Sequence, residues 1–163
     1  MRVYLPATIP LLALLAEKGE LALPDGFAVT ESLRAWYAEG DEEELEYAAL
    51  TAAARDSLRQ LAAEPDAPRR RVVIASDIPD ARVSISSAAG SERPGVIKIT
   101  GSVRLVDVAA LHVDEAGAQE PVTAAAHALP AADKGDADAQ FTVDAAEDYD
   151  LLWYGAQELG DLL

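Results

Sequence analysis

The 163-residue chain contains no cysteine and no asparagine. Without thiols it can form no disulfide, no cysteine-ligated zinc or iron–sulfur centre and no thiol nucleophile. Aromatic residues are scarce at 6% of the chain, with two Trp, five Tyr and two Phe. Positive charge is scarce too: 13 Lys and Arg face 29 Asp and Glu, a formal net charge of −16. A nucleic-acid binder meets a polyanion with Lys and Arg, so direct nucleic-acid binding is not expected. Anionic membrane surfaces are disfavoured for the same reason. The longest purely apolar stretch of the opening, residues 11–16, is too short to cross a bilayer and is closed by Glu17-Lys18-Gly19. Met1-Arg2-Val3-Tyr4 runs straight into an amphipathic pattern, which predicts no secretory leader and a cytoplasmic location. Also missing are a GxxxxGK[ST] phosphate loop, a GxGxxG turn, a GxSxG elbow and an HExxH pair. No cofactor is expected from motifs, and the commonest nucleotide-binding and hydrolase classes lose their support.

What the chain does have is a core. Half of its residues are hydrophobic, which excludes general disorder. Its length fits one domain, over residues 1–163, able to bury roughly 70% of its unfolded surface. Much of the apolar half is alanine, so Leu, Val, Ile and the few rings must supply most of the buried area. Arginine outnumbers lysine, a bias we ascribe to a GC-rich genome.

Local signals predict a strand over residues 2–5, ended by Pro6. A helix follows, capped by Thr8, with Pro10 in its first turn and Gly19 at its end. After a loop over 21–25, a second strand is predicted over 27–29. Thr30 caps a helix to about residue 39, and Gly40 breaks it. Asp41 opens a long helix to about residue 63 whose first turn carries Glu42, Glu43 and Glu44, where negative charge meets the positive end of the helix dipole. Leu45, Tyr47, Leu50, Ala54, Leu58 and Leu61 are predicted to face its core side, with Arg55 and Arg59 solvated. Strands are predicted over 72–75, 82–86 and 96–99, as an antiparallel meander with a Gly/Ser/Pro loop over 88–95, followed by a turn or short helix over 105–107 and a further strand over 109–113. A helix over 119–129, a brief strand over 141–143, a last strand over 150–154 and a helical turn over 157–163 complete the chain. Flexible segments are expected near 64–70, 87–95 and 131–140. The class is α+β: a mixed, mainly antiparallel sheet with three or more helices on one face.

Candidate sites carry plain readings beside functional ones. The cluster Asp41–Glu44 with Glu46 is either a docking surface for a basic partner or a well-capped helix start on a solvated face. Consecutive helical residues diverge, which argues against their sharing one metal ion. His112, in an apolar strand, and His127, in an alanine-rich helix, lack a second His at metal spacing and read as structural or surface residues. The pairs Trp36-Tyr37 and Trp153-Tyr154 hold both tryptophans. They read as core packing, with one ring in and one out in each pair, or as a pocket or interface.

Three blocks carry a resemblance: the opening Met1-Arg2-Val3-Tyr4-Leu5-Pro6-Ala7-Thr8, the central run from Trp36-Tyr37 through Asp41-Glu42-Glu43-Glu44-Leu45-Glu46-Tyr47-Ala48, and the ending Leu151-Leu152-Trp153-Tyr154 with Gln157-Glu158-Leu159. Over its full length the chain resembles a family of uncharacterised actinobacterial proteins, a domain of unknown function. That resemblance implies a lineage and a cytoplasmic setting, and no activity. In layout, the strand-helix-strand opening and the run from Ile99 to Val108 are similar to small proteins with an ADP-ribosyltransferase-like fold. That similarity would imply, as the alternative, a small enzyme of that group or a degenerate relative that only binds a nucleotide, its cleft lined by Arg2, Tyr4 and Thr30.

The leading expectation is a binding or regulatory module that contacts a basic protein partner through an acidic, aromatic-bearing surface of Trp36, Tyr37, Glu43, Glu46 and Trp153. A homodimer through the same rings is an open alternative. So is mimicry of nucleic acid by the acidic clusters at 41–46 and 144–150.

Overall fold

Three residues placed by capping chemistry set the first half of the fold. The computed structural model describes residues 1–85 and 93–163. Strand β1 (Arg2–Ala7) leads to Thr8, whose Oγ1 accepts from the Leu11 amide and opens helix α1 (Ile9–Lys18). Gly19 closes α1 in the left-handed region at φ 75°, where a Cβ is penalised. Two short strands follow, β2 (Glu20–Leu21) and β3 (Asp25–Phe27). Thr30 caps α2 (Glu31–Trp36), and Asp41 caps α3 (Glu42–Ala63) through a full capping box with Glu44.

The second half contains β4 (Val72–Asp77), β5 (Val83–Ile85), β6 (Val96–Ile99), β7 (Val103–Arg104) and β8 (Val108–Asp114). Helices α4 (Gln119–Asp133) and α5 (Ala137–Ala146), strand β9 (Leu151–Tyr154) and a 3-10 helix over Ala156–Leu162 follow. Seven strands form one sheet in the order β5-β6-β3-β1-β4-β8-β9, while β2 and β7 pair separately. The class is α+β, and every pairing in the sheet is antiparallel.

Several sequence expectations are corrected. The strands after α3 do not make a meander: β4 pairs with β1 and β8, whereas the β5–β6 hairpin pairs with β3 on the far side. Pro6 does not end β1. Its carbonyl takes Gln60 Nε2 at 3.3 Å, and β3 pairs with β1 at Tyr4 only, so the absent N–H breaks nothing needed there. Helix α4 runs through Pro130, which falls in its last turn and forgoes one i→i−4 bond close to the helix end. The stretch 131–139 is the end of α4, a turn at Gly135 and the start of α5, capped by Asp136. The strand expected over 141–143 is helical. Ala139, Val143 and Ala146 recur at helical spacing and are buried, and Phe141 points outward at 77% exposure. Ser86 and most of the loop expected over 88–95 lie outside the described residues.

Helices cover both faces of the sheet, not one. On the first face Val3, Leu5, Ile74, Leu111 and Val113 pack against Leu12 and Leu15 of α1 and Leu159 and Leu162 of the last turn. On the second, Tyr4, Phe27, Val73, Ala75 and Ala110 meet Leu33 of α2 and Leu45, Ala49 and Ala53 of α3. Alanine at 49 and 53 lets α3 lie close to the strands. Its last turns join α4 and α5 in a third, alanine-rich cluster.

Two buried polar devices fasten these layers. Ser57 of α3 donates to the Ala7 carbonyl at 2.7 Å and accepts the Val72 amide at 3.0 Å, closing the β1–β4 ladder where it opens. Arg71, just past the segment expected to be flexible near 64–70, is buried at 3% exposure against a fully buried Asp114. Its Nε and Nη2 reach the two carboxylate oxygens at 2.8 Å each, its backbone N–H adds a third bond at 2.8 Å, and Nη2 also reaches the Tyr149 carbonyl at 2.9 Å.

Candidate functional site

Helix α3 packs on the second sheet face and leaves a hollow at one corner. The floor there is a row of paired residues: Tyr4 of β1 opposite Ala75 of β4, and Ala75 opposite Ala110 of β8. The next row brings His112 of β8 opposite Trp153 of β9. Two adjacent alanines between larger neighbours make a hollow. One wall is a single helical face, Glu43, Glu46, Tyr47 and Leu50, spaced at i, i+3, i+4 and i+7. Arg2 stands at the other end. The groove holds about 290 Å³.

Its chemistry follows from who is paired. Arg2 is committed to Asp77 through Nε–Oδ1 at 2.8 Å and Nη2–Oδ2 at 3.2 Å. That bond raises the Arg2 pKa and lowers the Asp77 pKa, so the pair stays ionised and locally neutral. Burial, and then the carboxylate of Glu46, push the Tyr4 phenol upward, so it remains a neutral donor. Burial, with Arg2 adding repulsion, pushes His112 below its usual range, so the imidazole is uncharged near neutral pH. What remains unbalanced in the groove is the negative charge of Glu43 and Glu46. Two exposed rings flank it, Tyr47 at 57% and Trp153 at 63%. The Tyr47 hydroxyl donates to Asp150 Oδ1 at 3.3 Å, which fixes one of them.

The His112 shift has a consequence for stability. The unfolded chain protonates this residue near 6.5, the folded chain only at lower pH. Between those values the unfolded state holds more protons, so stability falls as pH drops below about 6.5 and stops falling on this account once the folded form has also protonated. Urea unfolding of the wild type and His112→Gln from pH 7.5 to 5.5 is expected to show a shallower decline in the variant. Parallel declines would remove His112 from this role.

Three of the five residues chosen from sequence for an interaction surface, Glu43, Glu46 and Trp153, line this groove. Trp36 and Tyr37 do not; they border a separate depression beyond α2. Both of those rings are exposed, at 61% and 47%, which corrects the expectation of one ring in and one out. In the second pair Trp153 is exposed and Tyr154 packs on the core, as expected. Of the nucleotide-cleft set, Arg2 and Tyr4 come together but Thr30 does not. It is buried at the cap of α2, its Oγ1 accepting the Leu33 amide at 3.3 Å and lying 2.9 Å from Ser32 Oγ. His127 is exposed on α4 beside Glu120 and Thr123. Sequence reasoning missed Tyr47, expected in the core, and gave His112 no place in a cleft. The 43-46-47-50 stripe was the available signal for Tyr47, one step around the helix from the 45-49-53 stripe that is buried.

No helix of the described residues is long and apolar enough to cross a membrane. Fold and groove together define an α+β domain on a seven-stranded antiparallel sheet, with an acidic, ring-lined hollow at one corner. The chain belongs to the family of unknown function DUF6912, whose model matches residues 1–163. No curated protein and no solved structure matches it.

Proposed function

We propose that this protein is a cytoplasmic binding module that receives a basic side chain of a partner protein in the groove between α3 and the sheet. One observation carries the reading: three rings, Tyr4, Tyr47 and Trp153, share a hollow with Glu43 and Glu46, and the cation in that lining, Arg2, is already paired with Asp77. A Lys ammonium or Arg guanidinium gains from a ring face and from a carboxylate at once, each contact being worth more when partly desolvated. The volume suits one inserted side chain better than a large ligand. The net charge of −16 draws a basic partner in from a distance at low ionic strength.

The test uses Trp153 as its own reporter, in a Trp36→Phe background. Titration with short lysine- or arginine-rich peptides is expected to change its emission saturably, and less so as salt is raised. Glutamate-rich peptides of equal length are expected to do nothing. A flat response to the basic peptides at low salt would sink the proposal.

A further inference from the structure

The sheet ends in an unguarded edge. Strand β9 is its last member and pairs with β8 alone. An exposed edge normally carries a Lys, a Pro, a bulge or an inward charge that keeps other chains off. The four residues of β9, Leu151-Leu152-Trp153-Tyr154, include none of these. Leu152 and Trp153 stand exposed on it.

Hydrogen bonding shows which backbone groups are open. The Asp114 N–H donates to the Arg71 carbonyl at 3.1 Å, toward β4. Backbone direction alternates along an antiparallel strand, so Val113 and Leu111 turn their N–H and C=O toward β9. Their partners there are Leu152 and Tyr154. The N–H and C=O of Leu151 and Trp153 therefore point out of the sheet. The side chains of these same two residues lie on the α3 face. Trp153, opposite His112, lines the groove, and Leu151 packs on the cluster under α3. Leu152, opposite Val113, lies on the other face.

We infer that the β9 edge, taken with the groove beside it as the cation site proposed above, pairs with an extended segment of the partner in which basic and apolar residues alternate. An added strand keeps the faces of the strand it joins. A residue bonded to Leu151 or Trp153 sends its side chain to the α3 face, beside the Trp153 ring and toward Glu43 and Glu46. The residues between send theirs beside Leu152. The first set suits Lys or Arg, and the second suits Val or Ile. Main-chain bonds supply affinity, and the alternate side chains supply specificity. Charge selects the occupant. Asp148 and Asp150, just before β9, are exposed and make no ion pair among the described residues. Arg70 is fixed near the Leu151 end by its Nε bond to the Asp114 carbonyl at 2.9 Å, and those two acids outnumber it. A second copy brings a further −16 and is repelled.

The experiment uses the full chain in the Trp36→Phe background, read by Trp153 emission, and a capped hexapeptide in which valine and lysine alternate. Methylating the backbone nitrogen of every lysine removes the donors that face β9 and is expected to weaken binding by about tenfold or more. Methylating every valine leaves those donors in place and is expected to change affinity by less than about threefold. Hydrogen exchange at the Leu151 and Trp153 amides, fast in the free chain, is expected to slow by about tenfold or more in the complex. Leu151→Pro removes one outward N–H at the first position of an edge strand, where proline is tolerated. It is expected to weaken the peptide too, with an unchanged urea midpoint as the check on folding. Should that variant misfold, the two methylated peptides decide alone, since they leave the protein untouched. Equal binding of all three peptides overturns the edge and leaves the groove standing, whereas no binding of the parent peptide overturns both. Slow exchange at both amides in the free chain, with a dimer by sedimentation, puts a second copy on the edge and overturns the inference.

Discussion

Replacing Asp114 with alanine is expected to cost about 3–5 kcal/mol of stability, because it strands a buried guanidinium. Arg71 is 3% exposed, and the carboxylate satisfies its Nε, one Nη and its backbone N–H together. Among the described residues Arg71 makes no second ion pair; the Tyr149 carbonyl offers only a dipole. For a chain of this size the loss corresponds to a melting temperature lower by roughly 10 °C or more. The same pair joins the start of β4, the end of β8 and the turn before β9, so hydrogen exchange around Tyr149 and β9 is expected to quicken before the rest of the sheet. The contrast that isolates the mechanism is a double variant, Arg71→Met with Asp114→Leu. Removing both charges leaves no unpaired ion, and this variant is expected to be more stable than either single replacement. Equilibrium urea unfolding of the three proteins settles the order. A single variant that lost less than about 1 kcal/mol would show that water or a shifted side chain rescues the ion.

Features governed by a few neighbouring residues were legible in the sequence. Thr8, Thr30, Asp41 and Gly19 mark helix ends through bonds that span three or four residues, and all four sit where expected. The α+β class and the β8 and β9 segments were legible for the same reason. Pairing was not. Whether β4 joins β5 or β1 depends on contacts some 70 residues apart, and a hydrophobic run states only that a strand is buried, not beside what. Arg71 shows the limit most plainly. An arginine after a proline loop reads as solvated, and the acid that buries it lies 43 residues on. The corner groove was half legible: Glu43, Glu46 and Trp153 could be chosen by chemistry. What makes them one site is a space, and spaces come from small residues such as Ala75 and Ala110 meeting across a register that sequence does not print. Tyr47 was misplaced because an alanine-rich helix blurs the border between its buried and open faces.

Glu46→Lys is expected to weaken a basic ligand of the groove by tenfold to a hundredfold while leaving the fold intact. The choice of residue matters. Glu43 lies in the first turn of α3, where a lysine would also oppose the helix dipole and cost about 0.3–1 kcal/mol. Glu44 is part of the capping box. Glu46 is past both, exposed, and makes no ion pair among the described residues, so its reversal acts on the groove and not on the helix; stability should stay within about 0.5 kcal/mol. Two like charges then meet inside the hollow, which slows association and reverses the salt dependence. Glu39→Lys, the same change of charge outside the groove lining, serves as the control and is expected to alter affinity only slightly. A second readout needs no ligand. Glu46 is the foremost charge raising the Tyr4 phenol, behind burial itself, so Glu46→Lys is expected to lower the Tyr4 titration seen by ultraviolet absorbance, and Glu39→Lys to leave it. The two readouts separate geometry from function. If the tyrosine moves and binding does not, the carboxylate faces the groove as described but the groove is not where a basic partner docks. If neither moves, the α3 wall itself is wrongly placed. Movement of both ties the partner's charge to the hollow between Tyr4 and Trp153.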